Sequence, residues 1–117
     1  MADQTVFDEL MAVIQQRKAN PPARSYTTTL LQGGVDRMGC KVMEEAAEVV
    51  RAARKSDEAP EKRQQLVAEA ADLVYHLFVL LGYRDIALGE VEAELARRFG
   101  ISGLDEKAAR PANPPSP

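Results

Sequence analysis

The chain has 117 residues, enough for one domain, and is 45% apolar and 28% charged with no Trp, three Tyr and three Phe. Its core must therefore come from aliphatic side chains and Ala, which suits helices. A formal charge of −3 argues against a nonspecific nucleic-acid binder, and a single cysteine, Cys40, excludes an internal disulfide and a zinc cluster. Cys40 is expected to be a small, half-buried residue. The first residues, Met1 to Gln4, carry neither the basic start nor the apolar run of a signal peptide. The longest nearly apolar run, 70–81, is short for a membrane span and contains Asp72 and His76. The expectation is a cytoplasmic protein with no membrane and no nucleic-acid partner.

In chain order, residues 5–19 form the first predicted helix, α1. Val6, Leu10, Val13 and Ile14 fall on one face, and Thr5 with Asp8 has the spacing of a capping box. Asn20-Pro21-Pro22 ends it. Ser25 is the expected cap of a short helix α2 over 26–32, which Gly33-Gly34 breaks. Helix α3 is predicted over 35–55, with Val35, Met38, Val42, Ala46, Val49 and Ala53 as its apolar stripe. After a polar turn at 56–60, α4 is predicted over 61–83, with Pro60 where proline is tolerated. It carries two adjoining apolar stripes, Leu66/Ala70/Leu73/Leu77/Leu80 and Val67/Val74/Phe78/Leu81. A helix apolar over that much of its circumference is buried on more than one side, and in so short a chain a second copy is the simplest cover. Helix α5 is predicted over 88–99, with Leu88, Val91, Leu95 and Phe99 on one face and Gly100 as its C-terminal cap. The proline-rich tail, 111–117, is expected to be disordered. With no strand pattern, the fold class is all-α: a four- to five-helix antiparallel bundle completed by dimerisation.

The chemistry lies in two acidic rows. On a wheel at about 100° per residue, Glu45 lies roughly 60° and Glu48 about 120° to the same side of the α3 apolar stripe. Lys41, Glu45, Glu48 and Ala52 thus form one row, and Glu44 points further toward solvent. On α4, Gln65, Glu69, Asp72 and His76 repeat the spacing on the border of the Leu66/Leu73/Leu77 stripe. Antiparallel packing of the two helices would collect Glu45, Glu48, Glu69 and Asp72. Four carboxylates beside a core repel one another and lose hydration, so either their pKa values rise or a cation sits among them. All-oxygen ligands suit Mg²⁺, with Mn²⁺ as a possible substitute. A Glu-Glu-x-x-Glu run alone is more often a solvated face paired with Lys or Arg; Asp72, inside an apolar run, is what that bland reading leaves unexplained. His76, the one histidine, is either a hydrogen-bonded residue at the core edge or a substrate contact supporting a carboxylate.

Glu44-Glu45-x-x-Glu48 followed by Glu69-x-x-Asp72 resembles the signature of the MazG-like all-α nucleoside triphosphate pyrophosphohydrolases. Three further stretches narrow the resemblance to the phosphoribosyl-ATP pyrophosphatase branch of histidine biosynthesis: Ser25-Tyr26-Thr27-x-x-Leu30-Leu31-x-x-Gly34, the continuation of α4 through Tyr75-His76-Leu77, and Ser102 to Arg110. The resemblance covers residues 5–110, read as one domain. It departs at Cys40 and Met43, where the family often has lysine and glycine, and it retains Lys41. It implies an ATP-binding hydrolase that converts phosphoribosyl-ATP to phosphoribosyl-AMP and pyrophosphate. It further implies Mg²⁺ on Glu45, Glu48, Glu69 and Asp72, Glu44 supporting the site or orienting water, and a homodimer through α4. Arg37, Lys41 and Lys107 are candidates to neutralise substrate phosphate, and His76 joins them as a substrate contact. Two alternatives stand beside this reading: a housecleaning (d)NTP pyrophosphatase of the same superfamily, and a noncatalytic helical dimer module.

Overall fold

The computed structural model describes residues 4–100 and contains, among them, five α-helices and no strand: α1 (Val6–Ala19), α2 (Tyr26–Gln32), α3 (Gly34–Lys55), α4 (Pro60–Tyr83) and α5 (Leu88–Phe99). The all-α class is as expected. The segment from Ser102 to Arg110, with Lys107, and the tail 111–117 lie outside the described residues.

Local signals set the helix ends. The Thr5 side chain accepts from the Asp8 N–H while Asp8 accepts from the Thr5 N–H, closing the capping box of α1. Ser25 Oγ accepts from the Thr28 N–H and caps α2. Gly34 has φ +82°, so the chain passes from α2 into α3 without a loop, through a backbone angle that favours glycine. Pro60 opens α4 at a position where its missing N–H costs nothing.

Residues up to Asp85 form one unit. Its backbone is the α3–α4 pair, joined by a four-residue turn and hence antiparallel, which makes the most extensive packing in the unit. Helix α1 packs on α4, and α2 touches α1, α3 and α4. The buried apolar side chains are Met11, Ile14, Leu30, Leu31, Met38, Ala52, Phe78 and Val79. This core differs from the predicted stripes. On α1 the inward residues are Met11 and Ile14, with Phe7 edge-on to Phe78 at 5.7 Å, and Val6 is exposed. On α4 the covered face is His76, Phe78, Val79 and Gly82, whereas Leu77 and Val67 are exposed. Two predicted stripes adjoin on α4, and periodicity alone ranks neither them nor the Val79/Gly82 side that is buried. Cys40 is exposed rather than half-buried. By length and composition α4 is also the one described helix that could cross a membrane.

The C-terminal end of α4 is pinned by Lys18, whose Nζ donates to the Tyr83 carbonyl and to Asp85 Oδ1, each at 2.8 Å. Nearby, Gly82 permits close approach of α1: a Cβ there would lie 2.7 Å from Cγ2 of the fully buried Ile14. Gly82→Ala is therefore expected to destabilise the fold. Overpacking costs about 1–3 kcal/mol, against at most about 1 kcal/mol gained in helix propensity. A thermal midpoint at or above wild type would show that Ile14 gives way instead.

The second unit begins at Ile86 and, within the described residues, contains α5. Glu94 bonds Arg97 and Arg98, which hold its carboxyl down at about 2. Gly100 ends the helix at φ +65°.

Candidate metal and active site

Antiparallel packing of α3 and α4 brings Glu45, Glu69 and Asp72 together: one carboxylate oxygen from each lies within 4.8 Å of the other two. Glu45 and Glu69 are half-buried and Asp72 is exposed. None of the three is in a salt bridge with a described Lys or Arg, unlike Glu44, Glu48, Glu58 and Glu94. Three clustered carboxylates without a salt-bridge partner are a poor arrangement for a bare protein surface and a suitable one for a hard divalent cation. The strain registers on Glu69, whose carboxyl is pushed above the ordinary glutamate value, first by lost hydration and then by Glu48, Asp72 and Glu45.

That shift has a sign. A cation bound here competes with the proton of Glu69, so divalent-cation affinity is expected to fall as pH falls, beginning above the range in which an ordinary glutamate protonates. Calorimetry from neutral to mildly acidic pH checks this, and Glu69→Gln should flatten the upper part of the curve.

The other predicted residues are distributed around this cluster. Glu48 is on the same seam, close enough to raise Glu69, but outside the tight trio; its Oε1 accepts from Arg51 Nε at 2.8 Å, which holds its carboxyl down. Glu44 is exposed and turned away, as the wheel placed it, and accepts from Lys41 Nζ at 3.3 Å. That bond is the main reason the Lys41 ammonium is held above the usual lysine value, with Tyr26, Glu44 and Glu45 adding to it. Arg37 is exposed at the start of α3, its stem lying against Gly33. His76 is buried with both ring nitrogens occupied: Nδ1 lies 2.8 Å from the Asp72 carbonyl oxygen and Nε2 lies 3.2 Å from the Tyr26 hydroxyl. A carbonyl only accepts, so Nδ1 donates to it; in the neutral ring Nε2 then accepts from the Tyr26 O–H. His76 thus sits at the core edge and reaches the surface through Tyr26. That ring, in turn, lies stacked with Tyr75 at 6.2 Å, and the Tyr75 hydroxyl meets Thr27 Oγ1 at 2.5 Å.

The geometry and the sequence now point the same way. The phosphoribosyl-ATP pyrophosphohydrolase family model matches residues 7–99. The chain belongs to this family. It is 52% identical over 106 residues to the phosphoribosyl-ATP pyrophosphatase of Rhodopirellula baltica, covering 91% of this chain and 87% of that protein. It is 49% identical to the phosphoribosyl-ATP pyrophosphatase of Trichlorobacter lovleyi, over 93% of this chain and 96% of that protein. A third relative of the same name, from Geobacter metallireducens, is 47% identical over 91% of this chain and 93% of its own length. The family match spans both acidic rows and the Ser25-Tyr26-Thr27 segment.

Sequence reasoning missed the cationic end of the seam. A cavity of about 120 Å³ beside Glu48 and Glu69 is lined by Arg51, Lys55 and Lys62. The signal was present: Lys55 continues the Lys41/Glu45/Glu48/Ala52 row by three residues, and Lys62 precedes Gln65 and Glu69 on theirs.

Proposed function

We propose that this chain hydrolyses phosphoribosyl-ATP to phosphoribosyl-AMP and pyrophosphate, the second step of histidine biosynthesis. The reading is carried by one observation: Glu45, Glu69 and Asp72 converge from two antiparallel helices in a member of the phosphoribosyl-ATP pyrophosphohydrolase family. Glu45, Glu48, Glu69 and Asp72 hold Mg²⁺, with Mn²⁺ as a substitute. When bound, Mg²⁺ neutralises phosphate oxygens and lowers the pKa of water. A carboxylate of the set accepts the proton of the attacking water, which adds to phosphorus as the bridging P–O bond of the α–β phosphoanhydride breaks and pyrophosphate leaves. Glu44, off the row, orients that water or supports the site. Lys41, Arg37 and Lys107 neutralise phosphate charge, and His76 serves the substrate by fixing Tyr26.

The working molecule is a cytoplasmic homodimer formed through α4, with residues 5–110 as the catalytic domain. Several large apolar side chains on α3 and α4 are exposed in one chain: Met43, Val50, Val67 and Leu77. A shallow groove of about 780 Å³, lined in part by Val35, Val42, Met43 and Leu80, joins the two helices beside Met43. A second copy covers this surface better than a bilayer would, because Glu69 and Asp72 lie in the middle of α4. No nucleic-acid or membrane partner enters this reading.

The test is pyrophosphate release from phosphoribosyl-ATP with and without Mg²⁺, beside dCTP and dUTP as competing substrates. Metal-dependent turnover confined to phosphoribosyl-ATP is expected. Preferred turnover of dCTP or dUTP would assign the chain to housecleaning, and no hydrolysis of any of them would favour a noncatalytic dimer module.

A further inference from the structure

The polar seam between α3 and α4 has two unlike ends. At one end lie Lys41 and the half-exposed Tyr26 ring, its hydroxyl tied to His76. In the middle lie Glu45, Glu69 and Asp72. At the other end, where α3 finishes and α4 begins, Arg51, Lys55 and Lys62 surround the cavity whose wall includes Glu48 and Glu69. Glu69 belongs both to this cavity and to the carboxylate trio, so an anion in the cavity is the immediate neighbour of whatever the trio holds.

The three cations are not all consumed by the fold. Arg51 bonds Glu48 at 2.8 Å, and Lys62 makes only a long contact of 3.6 Å with Glu58. Lys55 is in no salt bridge with a described residue, although its charge helps hold the Glu48 carboxyl down. All three sit on long stems at the rim of an open cavity and can converge on an anion at little structural cost. If Glu48 turns toward the trio, Arg51 loses its partner and its guanidinium becomes available to a phosphate, which it can bind through two parallel N–H bonds.

We infer that the Arg51/Lys55/Lys62 cavity is the pyrophosphate subsite: it takes the β- and γ-phosphates, and the seam therefore binds the substrate in one direction, with the nucleoside toward Tyr26. This rests on the hydrolase reading above. The leaving group concentrates its charge on two adjacent phosphorus centres, and the cavity, lined by Arg51, Lys55 and Lys62, is the most cationic part of the seam. A second phosphate source exists in the phosphoribosyl 5′-phosphate. That group is separated from the scissile bond by the whole nucleoside, whereas the β-phosphate is its direct neighbour, and the cavity directly adjoins the trio.

The test uses the full chain and two probes, inorganic pyrophosphate and ribose 5-phosphate, each titrated calorimetrically in Mg²⁺. Lys55→Gln and Lys62→Gln are each expected to weaken pyrophosphate binding about tenfold and to raise KM more than they lower kcat. Mg²⁺ affinity and thermal midpoint should stay at wild-type values, ribose 5-phosphate binding should not change, and Lys55→Arg should restore the pyrophosphate affinity. Tyr26→Ala should leave pyrophosphate binding intact while weakening phosphoribosyl-AMP. Wild-type pyrophosphate affinity in the Lys55→Gln/Lys62→Gln double variant overturns the inference. So does loss of ribose 5-phosphate binding with pyrophosphate retained, which would reverse the direction of the substrate. Lys55-dependent pyrophosphate binding in a wild-type protein that fails to cleave phosphoribosyl-ATP would refute the hydrolase reading and leave the subsite standing.

Discussion

Glu45→Gln and Asp72→Asn are each expected to lower kcat/KM for phosphoribosyl-ATP by at least about a hundredfold and to abolish measurable Mg²⁺ binding, without unfolding the chain. The two effects separate for a physical reason. The trio contributes nothing to the core: Glu45 is half-buried, Asp72 is exposed, and neither has a salt-bridge partner among the described residues. The Glu69 carboxyl is raised first by lost hydration and then by the neighbouring charges of Glu48, Asp72 and Glu45, so the members of the trio also repel one another. Removing one charge from the metal-free protein should therefore raise its thermal midpoint while destroying activity. Glu44→Gln should behave differently. Glu44 pairs with Lys41 at the surface, so its loss should lower kcat while leaving Mg²⁺ affinity near wild type. The measurements are pyrophosphate release, Mg²⁺ calorimetry and thermal melts on the same preparations. Full Mg²⁺-dependent activity in both Glu45→Gln and Asp72→Asn would mean that the reaction takes place elsewhere.

Charging the exposed apolar face should have an effect of similar size on assembly. Met43 is 73% exposed and Leu77 is 40% exposed in one chain. In an isolated monomer, Met43→Asp changes little, because surface substitutions away from special features usually stay within about 0.5 kcal/mol. In a dimer that buries this face the aspartate must be dehydrated without a partner, at a cost of several kcal/mol, so dimer affinity should fall by about a hundredfold or more. Sedimentation of Met43→Asp and Leu77→Asp should then show monomers at concentrations where wild type is dimeric. The small core argues for the same assembly. Four of its side chains, Ile14, Leu30, Met38 and Val79, are essentially inaccessible, and the predicted Leu66/Leu73/Leu77 stripe of α4 is not fully covered within one chain. A domain of this size with that much uncovered aliphatic surface is marginal alone. A wild-type protein that sediments as a monomer at micromolar concentration and above would remove this argument.

Local chemistry along the chain accounts for the helices, the caps at Thr5 and Ser25, and the two acidic rows. These are consequences of nearest-neighbour chemistry: a hydroxyl three residues before an N–H, a proline where no donor is needed, a carboxylate every three or four residues. It also separated Glu44 from Glu45 in direction, because a turn of about 100° lies between them whatever the helix packs on. Packing decided the rest. Which side of a helix faces inward depends on its neighbours, so Val79, outside both predicted α4 stripes, became core while Leu77 stayed exposed, and Cys40 was left outside. Glu48 shares the row with Glu45, but its carboxylate pairs with Arg51 one turn on and lies outside the trio. His76 could be placed beside Asp72 from spacing, yet only the packing of α2 could give its second nitrogen to Tyr26. The cations Arg51, Lys55 and Lys62 looked like ordinary helix-end charges until the α3–α4 turn folded them around one cavity. Spacing along a helix is fixed by its own backbone, whereas convergence between helices exists only once they have packed.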